Sequence, residues 1–300
     1  MKYTTDSIIT AVKRNASIPT SQKKFQTADF LAFMNEELQL TVVGEMLSLK
    51  EEYFVTSSTT SLAASTSSYS IPSAAVGWKF ESVWYVDSNG EETKIPRISR
   101  SQRDMFSSLA DSTVPRAFYF NGDKIQLVPD VGSTVTGSIR FDYVRIQNEL
   151  VSVSSCGLIS SVASSGTDYL LTVDSVPSTS NGVDIVSGSN PFGIIAREST
   201  ATVAGSVITC AQSDFDRAPV AGDYVAAYGE TCIPNIPEDY HPILAQAVTL
   251  RCLTNDPKML QSQGMVFKNM VQRMRDRSTK RVSTSPRKIL TASHILNRMR

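Results

Sequence analysis

Apolar residues return at nearly constant spacing through Thr27 to Val55: Phe30, Met34, Leu38, Val42, Met46 and Leu49 follow one another at four, four, four, four and three positions. Such spacing gathers them on one face of a helix, with Thr27 placed as its cap. Gly44 interrupts the stripe and reads as a kink or a close helix contact. Upstream, Thr5-Asp6-Ser7 caps a shorter helix carrying Ile8, Ile9 and Val12, ended by Asn15 to Pro19. Near the other end, Pro237-Glu238-Asp239 opens a helix whose stripe is Leu244, Ala247, Val248 and Leu253. Asn255-Asp256-Pro257 breaks it, and a second helix fits Met259 to Arg277 with Leu260, Phe267, Met270, Val271 and Met274 on one side. So short a connection makes the two antiparallel neighbours. The hairpin cannot bury both stripes alone, and the Thr27 helix is the natural partner.

Between these helical ends the pattern is that of strands. The run Thr56 to Ser68 is rich in serine and threonine and reads as a flexible loop, with a strand at Tyr69 to Pro72. Trp78, Phe80, Val83, Tyr85 and Val86 lead into the turn Asp87 to Gly90, and Glu92 to Ile98 returns. Ser99 to Asp104 forms a capped helical turn. Ala117 to Phe120, the Asn121-Gly122 turn and Lys124 to Val128 make the strongest hairpin signal. Ser138 to Ile146 alternates as a half-buried strand should. Residues 151–232 then carry short strands at Tyr169–Val173, Val183–Val186, Ile194–Ile195, Ser206–Thr209 and Tyr224–Ala227, the pattern of a small barrel or sandwich. The fold class expected is α+β. A helical core comes from residues 1–150 and 233–278, the former with a β-hairpin region. An all-β unit is inserted at 151–232, and a basic extended arm occupies 279–300.

Charge sharpens this picture. The net charge is zero, yet from Pro257 onward eleven Lys/Arg stand against one acid, leaving the first 256 residues with 18 basic and 28 acidic side chains. An acidic body ending in a basic segment is the main global feature. The arm mixes its cations with apolar residues (Arg287, Lys288, Ile289, Leu290, Ile295, Leu296, Arg298, Arg300), which suits a segment that folds onto a protein partner.

Candidate chemistry is sparse. Cys156, Cys210, Cys232 and Cys252 form no C-x-x-C pair and read as unpaired thiols; with only His241 and His294 beside them, a zinc site is not expected. His241, at a helix start, suits a capping or solvent-facing role, and His294 lies in the arm. No nucleophile elbow, P-loop or dinucleotide fingerprint occurs, and GSTVTG at Gly132 to Gly137 lies between strands, where it reads as a loop. The neighbouring acids Glu36-Glu37, Glu51-Glu52 and Glu91-Glu92 read as solvated faces. No catalytic residue, metal or cofactor is expected. The N-terminus carries neither a signal peptide nor a membrane-spanning run, so the chain is expected to be made in the cytoplasm.

The stretches TADFLAFMNEELQLTVVGEMLSLKEEYFV (Thr27 to Val55) and IPEDYHPILAQAVTLRCL (Ile236 to Leu253), with the basic arm from Pro286-Arg287-Lys288, resemble the head-to-tail adaptor (neck or connector) proteins of tailed bacteriophages. The resemblance implies a structural virion protein at the head–tail junction. It would form a homo-oligomeric ring, typically of twelve subunits, beneath the portal protein, with tail or neck proteins on the distal side and double-stranded DNA passing through the lumen. The C-terminal arm, Arg287 to Arg300, would reach the portal. An acidic body would line a DNA channel without gripping it. Two alternatives are a tail-completion or baseplate ring component, and a DNA-binding accessory protein that uses the basic segment.

Overall fold

A computed structural model describes residues 3–19, 24–49, 51–107, 114–130, 132, 136–179, 181–188, 193–253 and 256–278. Its helices are α1 (Thr5–Asn15), α2 (Thr27–Glu37), α3 (Val43–Leu49), α4 (Arg103–Ser107), α5 (His241–Cys252) and α6 (Pro257–Ser278). Thr4, one residue before the expected cap, accepts from the Ser7 amide at the start of α1. At α2 the cap is Gln26 rather than Thr27, in a reciprocal box with Asp29.

Between α2 and α3 the chain makes a π-helical turn, Leu38–Val42. Steps of four residues overshoot an α-helical turn by about 40° each, so the stripe would wind around a regular helix. The wider π turn takes up the excess. Phe30, Met34 and Leu38 are wholly buried, and Val42 and Met46 nearly so. Gly44 is not the kink, and no atom lies within 4 Å of where its Cβ would stand, so it marks no close contact either.

α5 is the helix against which the others lie. The expected stripe is only part of its buried surface, because Ile243, Ala245, Gln246 and Thr249 are buried too. α1 and α2 pack on it, and α6 covers a further side. Their side chains merge into one cluster with Val144 and Leu150 from the β region.

Sixteen strands are described. β1 (Val55–Ser61), β2 (Ser68–Ser70), β3 (Ala75–Val86), β4 (Glu92–Lys94), β5 (Ala117–Asn121), β6 (Lys124–Val128), β7 (Ser138–Arg145) and β8 (Glu149–Leu150) lie before the seven-stranded sheet. A four-stranded sheet has the order β1-β7-β3-β4 and a three-stranded one β2-β6-β5; they share a core of Val83, Ile125, Leu127, Ile139 and Phe141. The serine/threonine run is therefore not a loop throughout: Val55 to Ser61 pairs antiparallel with β7. One of its polar side chains has a partner there: Ser57 from β1, with Ser82 and Trp84 from β3, donates to the Asp142 carboxylate on β7, each at 2.7 Å. Burial alone would raise the Asp142 carboxyl, but these donors and Arg140 hold it below its ordinary value. The β5–β6 hairpin forms as expected, with its two-residue loop one position later, at Gly122-Asp123. Gly122 there adopts φ +65°, a conformation glycine accepts without strain.

β9 (Gly157–Ser165), β10 (Asp168–Val173), β11 (Val183–Val186), β12 (Ile194–Ser199), β13 (Ala201–Ala204), β14 (Val207–Ala211) and β15 (Tyr224–Ala227) form one sheet, ordered β12-β11-β15-β9-β10-β14-β13. β16 (Glu230–Thr231) pairs parallel with β8. The molecule is α+β, but the seven-stranded sheet does not close into a barrel, one of the two forms expected of it. Its end strands β12 and β13 are not paired with each other, and β13 is too exposed to be driven against the far edge by burial.

The π turn makes a sharp prediction. Leu38→Ala should cost about 2–5 kcal/mol, as for a buried leucine. Leu40→Ala, two residues on and 73 % exposed, should change stability by no more than about 0.5 kcal/mol. Urea unfolding of the two variants checks this, and equal losses would contradict the described turn.

Candidate docking surfaces

The start of α6 is fixed by Asp256, whose Oδ1 accepts from the amides of Lys258 and Met259 at 3.2 and 3.1 Å, while Pro257 takes the first helical position. From there α6 carries five basic residues and one acid. It is fastened by side-chain forks: Arg275 grips Glu45 of α3 with contacts of 2.7–3.0 Å, and Arg277 stands 3.8 Å from Asp239. On α5, Arg251 reaches both Glu36 and Glu37, at 2.5 Å to the latter. Glu36-Glu37 is thus not the solvated pair expected, since its charge is answered across the helix contact. The hydrogen bond to Glu37, with both carboxylates near, raises the Arg251 guanidinium further above its ordinary value.

Helix α6 nevertheless covers its neighbours only partly. Of its apolar stripe Met274 alone is buried, whereas Leu260, Phe267, Met270 and Val271 are half-buried and Met265 and Val266 face outward. Two adjoining cavities, about 470 and 640 Å³, open between α1, α5 and α6 and share Tyr3, Pro242 and Met270. Arg273 stands in the first, Arg14 and Val266 in the second. A third, about 550 Å³, lies on the α2 side between Phe33 and Phe267.

A different surface forms where β8 meets β16. Glu149 and Glu230 are directly opposite in the parallel ladder. Like charges so placed repel. Burial, then the Glu149 charge, pushes the Glu230 carboxyl above its ordinary value. Behind this patch lies a satisfied polar core: buried Asp184 accepts from Asn148 and from the amides of Glu198 and Gly229. Burial, reinforced by neighbouring Arg145, pushes the Arg197 guanidinium down to about 10.

Other polar groups turn out to be structural. His241 is not solvent-facing: it is 2 % exposed, with Nε2 3.0 Å from the Ile236 carbonyl and its ring edge-on to Tyr3. Burial lowers its pKa. All four cysteines are buried and free. Among the described residues no group of acids, histidines and cysteines could hold a metal, and no helix is long and apolar enough to cross a membrane. The arm residues Arg287, Lys288, Ile289, Leu290, Ile295, Leu296, Arg298 and Arg300, with His294, lie outside the described residues.

Helices α1–α3, the four- and three-stranded sheets and the first two strands of the seven-stranded sheet fall within residues 3–173, which match the model of the SU10 adaptor protein family. The chain belongs to this family. The match covers more than half of the sequence, including the Thr27–Val55 stretch on which the phage-adaptor resemblance rests, and stops short of α5 and α6. No curated protein matches the chain. Membership is that of a phage structural adaptor, which implies a component of the virion that meets head and tail parts.

Sequence reading missed the Glu149–Glu230 pair, because 81 positions separate the two and nothing local marks a parallel ladder between two-residue strands. It missed the Arg251 and Arg275 clasps for the same reason.

The Glu230 shift has a defined sign. A carboxyl whose folded pKa is raised favours folding below its unfolded value and opposes it as pH rises through the folded value. Glu230→Gln should therefore raise the melting temperature at pH 7, and the gain should vanish below about pH 4.3, the ordinary glutamate pKa. Thermal melts of both proteins across that range test it; a gain independent of pH would refute the cause.

Proposed function

We propose that this SU10-family adaptor forms a homo-oligomeric ring, of about twelve copies in keeping with the phage adaptors it resembles, that joins the portal of the capsid to the tail. Double-stranded DNA passes through its lumen, and tail or neck proteins bind the distal side. The chain works by assembly and not by catalysis. The family match carries this reading, and the charge division supports it: an acidic wall repels phosphate and lets DNA slide, and a basic end suits contact with a partner. Unfilled space beside α6 suits a protein whose burial is completed by other subunits. In this reading residues 1–150 and 233–278 form the helical core with its β region, 151–232 an inserted unit, and 279–300 an arm. Within the arm, Ile289, Leu290, Ile295 and Leu296 bury on the portal, flanked by Arg287, Lys288, Arg298 and Arg300.

Purified portal rings provide the test. Full-length protein should add a ring to them in sedimentation and negative-stain images, while a chain ending at Thr279 should not. Equal binding by both would reject the role of the arm, and no binding by either would reject the portal as partner.

The five cations of α6 against its single acid favour a second reading, an accessory protein that grips duplex DNA. That reading requires duplex binding by the full chain that weakens steeply as salt rises.

A further inference from the structure

Two of the four buried cysteines are not placed singly. Cys210 packs within the seven-stranded sheet and Cys252 in the helical core. Cys156 and Cys232 instead share one apolar cluster, with Val186, Ile194, Tyr224, Ala226 and Ile233. Both are buried, and their thiols are hydrogen-bonded to each other. That bond, then burial, pushes the Cys232 thiol above its ordinary value.

Their place in the chain is as particular as their contact. Cys156 stands immediately before β9 and Cys232 immediately after β16, so every described strand from β9 to β16 lies between them. The two ends of this stretch already run side by side: β8 pairs with β16, and the Val151 amide donates to the Thr231 carbonyl at 3.0 Å. Among the described residues no third acid, histidine or cysteine completes a metal site with them. The chemistry open to two touching thiols is then their oxidation.

We propose that Cys156 and Cys232 form a redox-controlled disulfide that ties the entry of the β9–β16 stretch to its exit. A peroxide is the oxidant whose size suits a site closed to solvent. One sulfur, as thiolate, attacks the peroxide, gaining an S–OH group and releasing hydroxide. The second sulfur displaces that hydroxyl group as the S–S bond forms. In sum the two thiols give up two electrons and two protons, and hydrogen peroxide becomes two waters. Burial makes the reaction slow, so the pair stays open where thiols are kept reduced and closes on lasting exposure to oxidant. A virion component is built inside a cell and persists outside it, and this is the change of surroundings that such a pair registers. That timing rests on the virion role of the family, whereas the closure itself does not. A bond that closes a loop of 77 residues restricts the unfolded chain and so favours the folded one.

Peptide mapping of the full chain tests it. Cleavage after lysine and arginine leaves the four cysteines on four different peptides, 146–197, 198–217, 218–251 and 252–258. After exposure to hydrogen peroxide and blocking of free thiols, peptide 146–197 should appear joined to 218–251, and a reductant should part them. The oxidised protein should melt higher by about 5 °C or more, a gain that Cys156→Ala should lack. Linkage through Cys210 or Cys252 instead, or thiols that stay free or oxidise singly, would overturn the proposal. A joined pair with no gain in melting temperature would overturn its role as a tie. Should Cys156→Ala fail to fold, the map and the melting curves of the parent, oxidised and reduced, still decide.

Discussion

Burial of α5 on nearly every side is the condition on which the helical part of this protein depends. An isolated helix of twelve residues is marginal in water, and this one holds its shape because α1, α2 and α6 each remove part of its surface from solvent. The interior it creates contains polar groups that must be answered in place. Thr249 returns its hydroxyl to the Ala245 carbonyl, and Gln246 bonds to Gln263 on α6. Burial lowers the pKa of His241 against the Ile236 carbonyl, which bonds to Nε2 and favours the protonated ring. Polar residues on a helix expected to show one apolar stripe are thus the mark of its central place.

The helices were legible because helical periodicity is local. Phe30, Met34 and Leu38 declare their face within nine residues, and all three are buried. What periodicity could not convey was how a stripe of fours stays straight, since a π turn leaves no signal beyond the spacing itself. The strands of the seven-stranded sheet could be read from their β-branched runs, but not their pairing order, which joins β9 to its successor β10 and also to β15, more than fifty residues on. The serine/threonine run failed for an instructive reason. β1 is a strand because its backbone pairs with β7 from Val55 to Ser61, where Asp142 also accepts from the Ser57 hydroxyl; its own apolar content would not have made it one. At the docking surfaces the cations of α6 were visible as a charge run, whereas the carboxylates opposite one another on β8 and β16 became a pair only through folding.

Electrostatics divides the molecule into regions with different tasks. Inside, charges are closed in place: Asp184 by amides, Asp223 by the amides of Gly188 and Val220 with Arg217 beside it. Between helices they act as fasteners, as Arg251 and Arg275 do. Exposed pairs of this kind contribute little to stability, roughly 0–1 kcal/mol each, so their worth lies in fixing how α5 lies on α2 and α6 on α3. An adaptor must present defined surfaces on both sides. The apolar floor sets which helices touch, and the arginine forks set the angle at which they do so.

The π turn gives this family member one place where chain length is negotiable. Removing Leu40 would change the stripe from steps of four to four, four, three, four and three, the spacing that a regular α-helix prefers. The helix would lose its bulge and keep its face. A deletion one turn earlier would instead rotate Met34 and everything before it away from the core. Helix length in this protein can therefore vary among relatives by one residue at Leu38–Val42 without disturbing the packing on α5, and such variation would shift the start of α2 along its axis by about 1.5 Å.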